Sequence, residues 1–107
     1  CLSVELRDRA TPDEVTAASA EWRGAESARD LPSSPEHPVV VAPEPDRPQP
    51  RRDVGRGAGM TVTIGRVRED SLFDVKLVAM GDNVIRGAAG ASVLNAELLV
   101  RCGMVVP

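Results

Sequence analysis

The chain has 107 residues, enough for one domain with a modest core, because a chain of this length buries about 60 to 70% of its unfolded surface. A formal net charge of −3, with both signs interspersed, gives no field that would attract nucleic acid or an anionic membrane, so we expect neither as a partner. No apolar run approaches the roughly 18 residues that span a bilayer, and no segment resembles a signal peptide, so we expect a cytoplasmic protein.

Aromatic residues are scarce, since Trp22 and Phe73 are the only two. The core must therefore be built from smaller aliphatic side chains, and we expect the chain to complete its burial against another segment or subunit. Cys1 and Cys102 have no metal-ligand spacing, which favours two free thiols over the alternative of a disulfide between them. His37 has no nucleophile near it in sequence and is interpreted as a solvated loop histidine.

The first predicted elements are a strand and a helix. Residues 2–7 alternate apolar and polar side chains, which predicts a half-buried strand starting at the first residues, as in a chain cut within a fold. The segment Thr11-Pro12-Asp13-Glu14 has the form of a capping box with proline at the first helical position and predicts a helix over residues 12–23. Trp22 continues the apolar stripe of that helix, so we expect it in the core.

A proline-rich segment follows, because residues 31–52 contain seven of the nine prolines. Within it, residues 39–42 are apolar and predict a short strand. Residues 43–52 favour an extended, polyproline-like path, either a linker or an arm that lies across another surface such as a partner subunit. A basic cluster (Arg47, Arg51, Arg52 and Arg56) could contact phosphate, but no aromatic residues interleave with it, which argues against nucleic acid.

Two further strands are predicted at residues 60–68 and 73–80, and they should pair as an antiparallel hairpin. Gly65 within the first of them predicts a bulge or a close backbone approach. The polar turn at residues 81–90 then leads into a helix over residues 83–102, with Asp82 or Asn83 as N-cap.

Gly87 and Gly90 lie near the start of that last helix, where each costs roughly 1 kcal/mol relative to alanine. Their presence indicates that bulk is excluded, either by a ligand or by a packed neighbour. The free N–H groups of the first turn could face a phosphate or an amide, and small-residue helix packing explains the two glycines equally well.

Three ordered blocks carry a resemblance to a known family: residues 44–51 (EPDRPQPR), 59–68 (GMTVTIGRVR) and 81–90 (GDNVIRGAAG) with 94–97 (LNAE). The chain resembles the C-terminal part of aspartate-semialdehyde dehydrogenases, particularly the archaeal and fungal branch. The resemblance implies a partial α+β dimerisation domain with mostly antiparallel strands and two helices. Residues 1–80 would end the dimerisation and catalytic domain, with residues 31–52 as its arm, and residues 81–107 would form the final helix, which packs on an NADP-binding domain missing here.

The same resemblance implies NADPH-dependent reduction of aspartyl phosphate to aspartate semialdehyde in amino-acid biosynthesis, by a homo-oligomer, either dimer or tetramer. The family's nucleophilic cysteine and its histidine would lie upstream of Cys1, so we expect no catalytic residue here and an inactive polypeptide. Asn83 matches the family's amide side chain near the nicotinamide and is the single site residue inferred. A plain N-cap role is equally compatible with its position, and Asp82 and Val84 depart from the family's His-Asn-Thr pattern.

Two alternatives stay open at the level of sequence. The chain could be a free-standing protein-interaction module, or a fragment of a related acyl-CoA reductase such as malonyl-CoA reductase.

Overall fold

The computed structural model describes residues 1–106 and contains one four-stranded sheet. Its strands are β1 (Leu2–Val4), β2 (Val39–Ala42), β3 (Val62–Glu69) and β4 (Val75–Met80). The strand order is β1-β4-β3-β2, with β1 and β3 antiparallel to β4 and β2 parallel to β3. The predicted α+β class with mostly antiparallel strands is therefore confirmed.

Three α-helices accompany the sheet in the described part of the chain: α1 (Pro12–Glu21), α2 (Pro50–Asp53) and α3 (Gly90–Arg101). Short 3-10 turns occur at Glu26–Ala28 and Arg56–Gly59, and a π-helical turn at Ile85–Ala89 leads into α3. The predicted capping box is present, because the Thr11 hydroxyl accepts from the Glu14 N–H while the Glu14 carboxylate accepts from the Thr11 N–H.

Buried residues lie on both faces of the sheet, with Ala42 and Thr63 on one face and three apolar residues on the other. Ile64, Val75 and Leu77 are buried, and the register of the strands places them side by side on that face. α1 packs at the β2 end of the same face, where Val15 lines a shallow groove with Val39.

The prediction that Trp22 is a core residue is wrong. α1 ends at Glu21, and Trp22 follows as an extended C-cap residue whose side chain is 49% exposed. None of the ten residues of α1 is buried, because the helix packs on β2 and β3 with one side only and no other element in the described part of the chain covers its outer side. Trp22 therefore lies at the rim of the groove beside α1.

The first strand is shorter than the predicted 2–7 because Asp74 ends its pairing with β4. The N–H of Asp74 donates to the carbonyl of Val4 over 3.1 Å, but the next partner, the N–H of Leu6, donates to the Asp74 carboxylate over 2.8 Å. A side chain thus takes the place of the backbone ladder.

The proline-rich segment is not an extended arm. It turns at residues 44–47, where the Arg47 N–H donates to the Glu44 carbonyl, and then crosses its own strand β3 at Gly65. A Cβ on Gly65 would lie 2.6 Å from the Arg47 carbonyl oxygen, closer than real Cβ atoms approach. Both expectations for Gly65 are confirmed, since the ladder between β3 and β4 also has a bulge between Gly65 and Arg68.

The last helix departs from the uniform helix predicted over residues 83–102, because α3 starts only after the π-helical turn. Gly103, with φ of +70°, follows the helix end as predicted. The Glu97 carboxylate holds α3 against the preceding chain by accepting from the N–H and the hydroxyl of Ser33, at 3.0 and 2.7 Å. No residue of α3 is buried, and the apolar side chains of Val93 and Val100 stay exposed.

Substituting Gly65→Ala should destabilise the protein by about 1 to 3 kcal/mol, because the new methyl group meets the backbone of Arg47 and not a flexible side chain. Urea unfolding followed by circular dichroism measures the loss. Gly55→Ala is the matched control, since a Cβ at Gly55 has nothing within 4 Å, and it should be neutral or slightly stabilising. Equal midpoints for the two variants would contradict the crossing described here.

Candidate functional site

The polar turn before α3 is organised by Asp82. Its carboxylate Oδ1 accepts from the N–H groups of Val84, at 2.8 Å, and Ile85, at 2.7 Å. Its backbone carbonyl accepts from the N–H of Gly87 at 2.8 Å, a bond that belongs to the wider π-helical ring. Of the two candidate N-caps, Asp82 therefore has the capping role.

Asn83, the other candidate, is therefore not the N-cap. Its side chain is exposed, and no side-chain hydrogen bond within residues 1–106 involves its amide. An amide of this kind presents both a donor and an acceptor to a ligand. The structure thus leaves Asn83 available, and its role as a contact to nicotinamide stays a prediction.

Gly87 and Gly90 turn out to have different surroundings. A Cβ on Gly90 would lie 2.5 Å from the Met60 sulfur and 2.8 Å from Cγ2 of Ile85, so packing within the chain accounts for this glycine. A Cβ on Gly87 would meet only the Asp82 carbonyl oxygen, at the ordinary distance of 3.5 Å. The outer face of the turn, at Gly87, is therefore open, while its inner face is closed.

Two arginines of the basic cluster are engaged internally. Asp53 is fully buried, with 0% exposure, and its carboxylate accepts from Nε of Arg47 at 2.7 Å and from Nη2 of the same guanidinium. Nε of Arg56 donates to Oδ1 at 3.0 Å, and the N–H of Gln49 donates to Oδ2 at 2.7 Å. Arg47, Arg56 and Asp53 thus form a fork-like ion-pair network that ties the start of α2 to the turn after it.

The electrostatics of this network do not favour a phosphate. The hydrogen bonds from Arg47 hold the pKa of Asp53 far below its usual range, with smaller contributions from the Gln49 N–H and from Arg56. Asp53 is therefore ionised and neutralises charge that an anion would need. Sequence reasoning missed this carboxylate, although an acid three residues before Arg56 and six after Arg47 was a visible signal.

Three other side chains could be reactive, and all three belong to segments outside this turn. Cys1 precedes β1 and Cys102 caps α3, and both are exposed free thiols, as expected. The side chain of His37 lies in the loop before β2, with Nε2 3.6 Å from a Glu36 carboxylate oxygen. Within residues 1–106, no group of three or more His, Cys, Asp or Glu side chains is arranged to hold a metal ion. No helix of that part of the chain is long and apolar enough to cross a membrane.

Comparison with known proteins assigns this chain to a family. Residues 1–86 match the family model of the semialdehyde dehydrogenase dimerisation domain. The chain belongs to the semialdehyde dehydrogenase family. Among its curated relatives, the aspartate-semialdehyde dehydrogenase of Methanothermobacter thermautotrophicus is 49% identical over 98 residues, which covers 90% of this chain and 28% of the relative. That of Archaeoglobus fulgidus is 54% identical over 72 residues, covering 67% of this chain and 21% of the relative.

Solved structures agree in fold. Aspartate semialdehyde dehydrogenase from Candida albicans, solved with NADP, matches 98% of this chain with a TM-score of 0.82 and 39% identity, and the match covers 29% of that protein. Aspartate semialdehyde dehydrogenase II from Vibrio cholerae, complexed with ASA, gives a TM-score of 0.68 at 30% identity over 92% of this chain and 25% of that one. The chain thus spans less than a third of the length of these relatives.

The resemblance inferred from the three sequence blocks is therefore confirmed, as is the partial semialdehyde dehydrogenase dimerisation-domain fold. All relatives named above are aspartate-semialdehyde dehydrogenases, so neither the free-standing interaction module nor the acyl-CoA reductase alternative is favoured. The dimerisation-domain match ends at residue 86, within the π-helical turn, and α3 lies beyond it.

The stability of this dimerisation domain should fall as the pH drops below about 4. Because the folded pKa of Asp53 lies below its ordinary value of 3.8, the folded state takes up this proton less readily than the unfolded chain. The stabilisation by ionised Asp53 is therefore complete above its ordinary pKa and is lost as the pH falls towards its lower pKa in the folded state. Urea midpoints between pH 7 and pH 2 measure the effect.

Asp53→Asn should lower the midpoint at pH 7 and flatten its decline in acid, because the variant has no carboxylate to protonate and leaves Arg47 and Arg56 without their counter-ion. Asp8→Asn, at an exposed carboxylate, is the control and should follow the wild-type curve. If Asp53→Asn kept the wild-type acid slope, another group would be responsible for it.

Proposed function

We propose that the chain is the C-terminal part of an NADP-dependent aspartate-semialdehyde dehydrogenase, which reduces aspartyl phosphate to aspartate semialdehyde in cytoplasmic amino-acid biosynthesis. The observation that carries this proposal is the agreement with the Candida albicans enzyme, which was solved with NADP and matches nearly the whole chain in fold. The identity of 49% to an archaeal relative supports the same assignment.

We propose for the chain the division that the family resemblance implies. Residues 1–80 would form the end of the dimerisation and catalytic domain, and the segment 81–107 would contribute α3 (Gly90–Arg101), which packs on the NADP-binding domain. An apolar groove along α3, lined by Val93, Ala96 and Val100, supports such packing, since exposed apolar surface of this kind marks an interface. The matched dimerisation domain supports a homo-oligomer, either dimer or tetramer.

Asn83 is proposed to contact the nicotinamide carboxamide. The residues present fit this group, because an exposed amide with no hydrogen-bond partner in residues 1–106 complements another amide, and Gly87 beside it leaves the surface open. When bound, NADPH supplies the hydride for the reduction. The part of this chain is to hold the nicotinamide end of the cofactor in place.

Replacing Asn83→Ala in the protein that includes the NADP-binding domain should weaken NADP⁺ binding about tenfold, the loss expected for one or two hydrogen bonds. Fluorescence titration with NADP⁺ measures the dissociation constant. Asn95→Ala, an exposed asparagine on α3, is the matched control and should bind as the wild type does. Equal dissociation constants for the Asn83 variant and the control would refute the contact.

A polypeptide of residues 1–107 alone should show no NADPH-dependent reductase activity. Its two cysteines lie at the exposed start of the chain and at the end of α3, and the family chemistry requires a cysteine and a histidine that act together. Absorbance at the NADPH band, followed with aspartyl phosphate present, tests this against a matched buffer reaction. Turnover above that background would contradict the proposal.

A further inference from the structure

The side chain of Ile85 fills a space that two glycines leave open. A Cβ on Gly59 would lie 2.8 Å from Cδ1 of Ile85, and a Cβ on Gly90 would lie 2.8 Å from its Cγ2. Gly59 also has φ of +84°, in the left-handed region that other residues seldom adopt. The two glycines therefore form a cradle for one isoleucine, although 37% of that residue remains exposed.

The Gly90 side of the cradle cannot yield easily. A Cβ there would also lie 2.9 Å from the carbonyl oxygen of Ile85 and 2.5 Å from the sulfur of Met60. The first atom belongs to the backbone, and the second to a residue that is 5% exposed and packed. Any added bulk at Gly90 must therefore displace the π-helical turn itself.

This seating is coupled to Asn83 through a short closed turn. The N–H of Ile85 donates to the Asp82 carboxylate at 2.7 Å, and the Asp82 carbonyl accepts from Gly87 at 2.8 Å. Asn83 lies between Asp82 and Ile85 in this turn, is exposed, and forms no side-chain hydrogen bond within residues 1–106. Its placement thus depends on the residues on either side.

We propose that Ile85, seated between Gly59 and Gly90, is the positioning residue that sets where Asn83 meets the nicotinamide. This inference rests on the role proposed above for Asn83. A shift of the turn by about 1 Å would misalign the amide, and misplacement of that size can reduce a reaction on the order of 100-fold. Ile85 itself acts through Asn83 and touches no reacting atom.

The test uses the protein that includes its NADP-binding domain and four variants: Ile85→Ala, Ile85→Val, Gly90→Ala and Gly55→Ala. Two quantities are measured for each, the dissociation constant of NADP⁺ and the hydrogen-exchange rates of the Gly87 and Ala89 amides, which form the π-helical bonds. Steady-state kinetics add the KM for NADPH and for the acyl substrate separately.

Ile85→Ala and Gly90→Ala should raise the dissociation constant for NADP⁺ by up to about tenfold, the full effect expected of Asn83→Ala, and accelerate exchange at both amides, with the KM for the acyl substrate unchanged. Ile85→Val keeps the branched carbon and should retain most of the binding. Gly55→Ala, with open space around its Cβ, should match the wild type. If Gly90→Ala does not fold, the graded series from isoleucine to valine to alanine decides the question.

Unchanged exchange at Gly87 and Ala89 in Ile85→Ala would overturn the inference, because the side chain would then not hold the turn. Faster exchange in Ile85→Ala with an unchanged NADP⁺ dissociation constant would also overturn it. If Asn83→Ala nevertheless binds NADP⁺ more weakly, the proposed contact of Asn83 still stands. An unchanged dissociation constant in Asn83→Ala would overturn this inference together with the proposed contact of Asn83 to the nicotinamide.

Discussion

The buried carboxylate of Asp53 is the constraint on which the rest of the candidate site depends. It accepts hydrogen bonds from two arginines, Arg47 in the segment that crosses β3 and Arg56 in the turn after α2. This network holds residues 47–56 together and thereby orients the turn that follows them. That turn presents Gly59, which seats Ile85, and Ile85 begins the segment that carries α3. The ion-pair network at Asp53 is thus followed along the chain by the packing of Ile85 against Gly59. The exposed amide of Asn83 lies in the turn just before Ile85.

Local patterns were sufficient for the parts of the fold that local forces determine. The capping box at Thr11 and Glu14 and the strand at residues 39–42 were predicted because each depends on side chains a few residues apart. Gly65 was recognised as a position of close approach, but its neighbour Arg47 was not, because that contact joins segments distant along the chain. The family was recognisable because three separated blocks keep their order.

The failures arose where tertiary packing decides the outcome. Trp22 has core spacing on a helix, yet α1 ends at Glu21, and the extended Trp22 stays half-exposed. The π-helical turn at Ile85–Ala89 could not be predicted from the sequence, because no local pattern of side chains marks its wider hydrogen bonds. Asp53 looked like one more charge in a basic segment until the fold brought Arg47 to it. For the candidate site, the sequence indicated Asn83 but left Asp82 as an equal candidate for the cap.

The parallel pairing of β2 with β3 explains why residues 43–52 do not run as a free, extended arm. Two parallel neighbours need a connection that returns from the end of the first strand to the start of the second, along the whole length of the pair. Residues 43–61 make that return journey, and α2, the arginine fork and the turn before β3 all lie along it. The prolines restrict the backbone of a connection between two strands of the same sheet, so the segment supports the fold of its own domain.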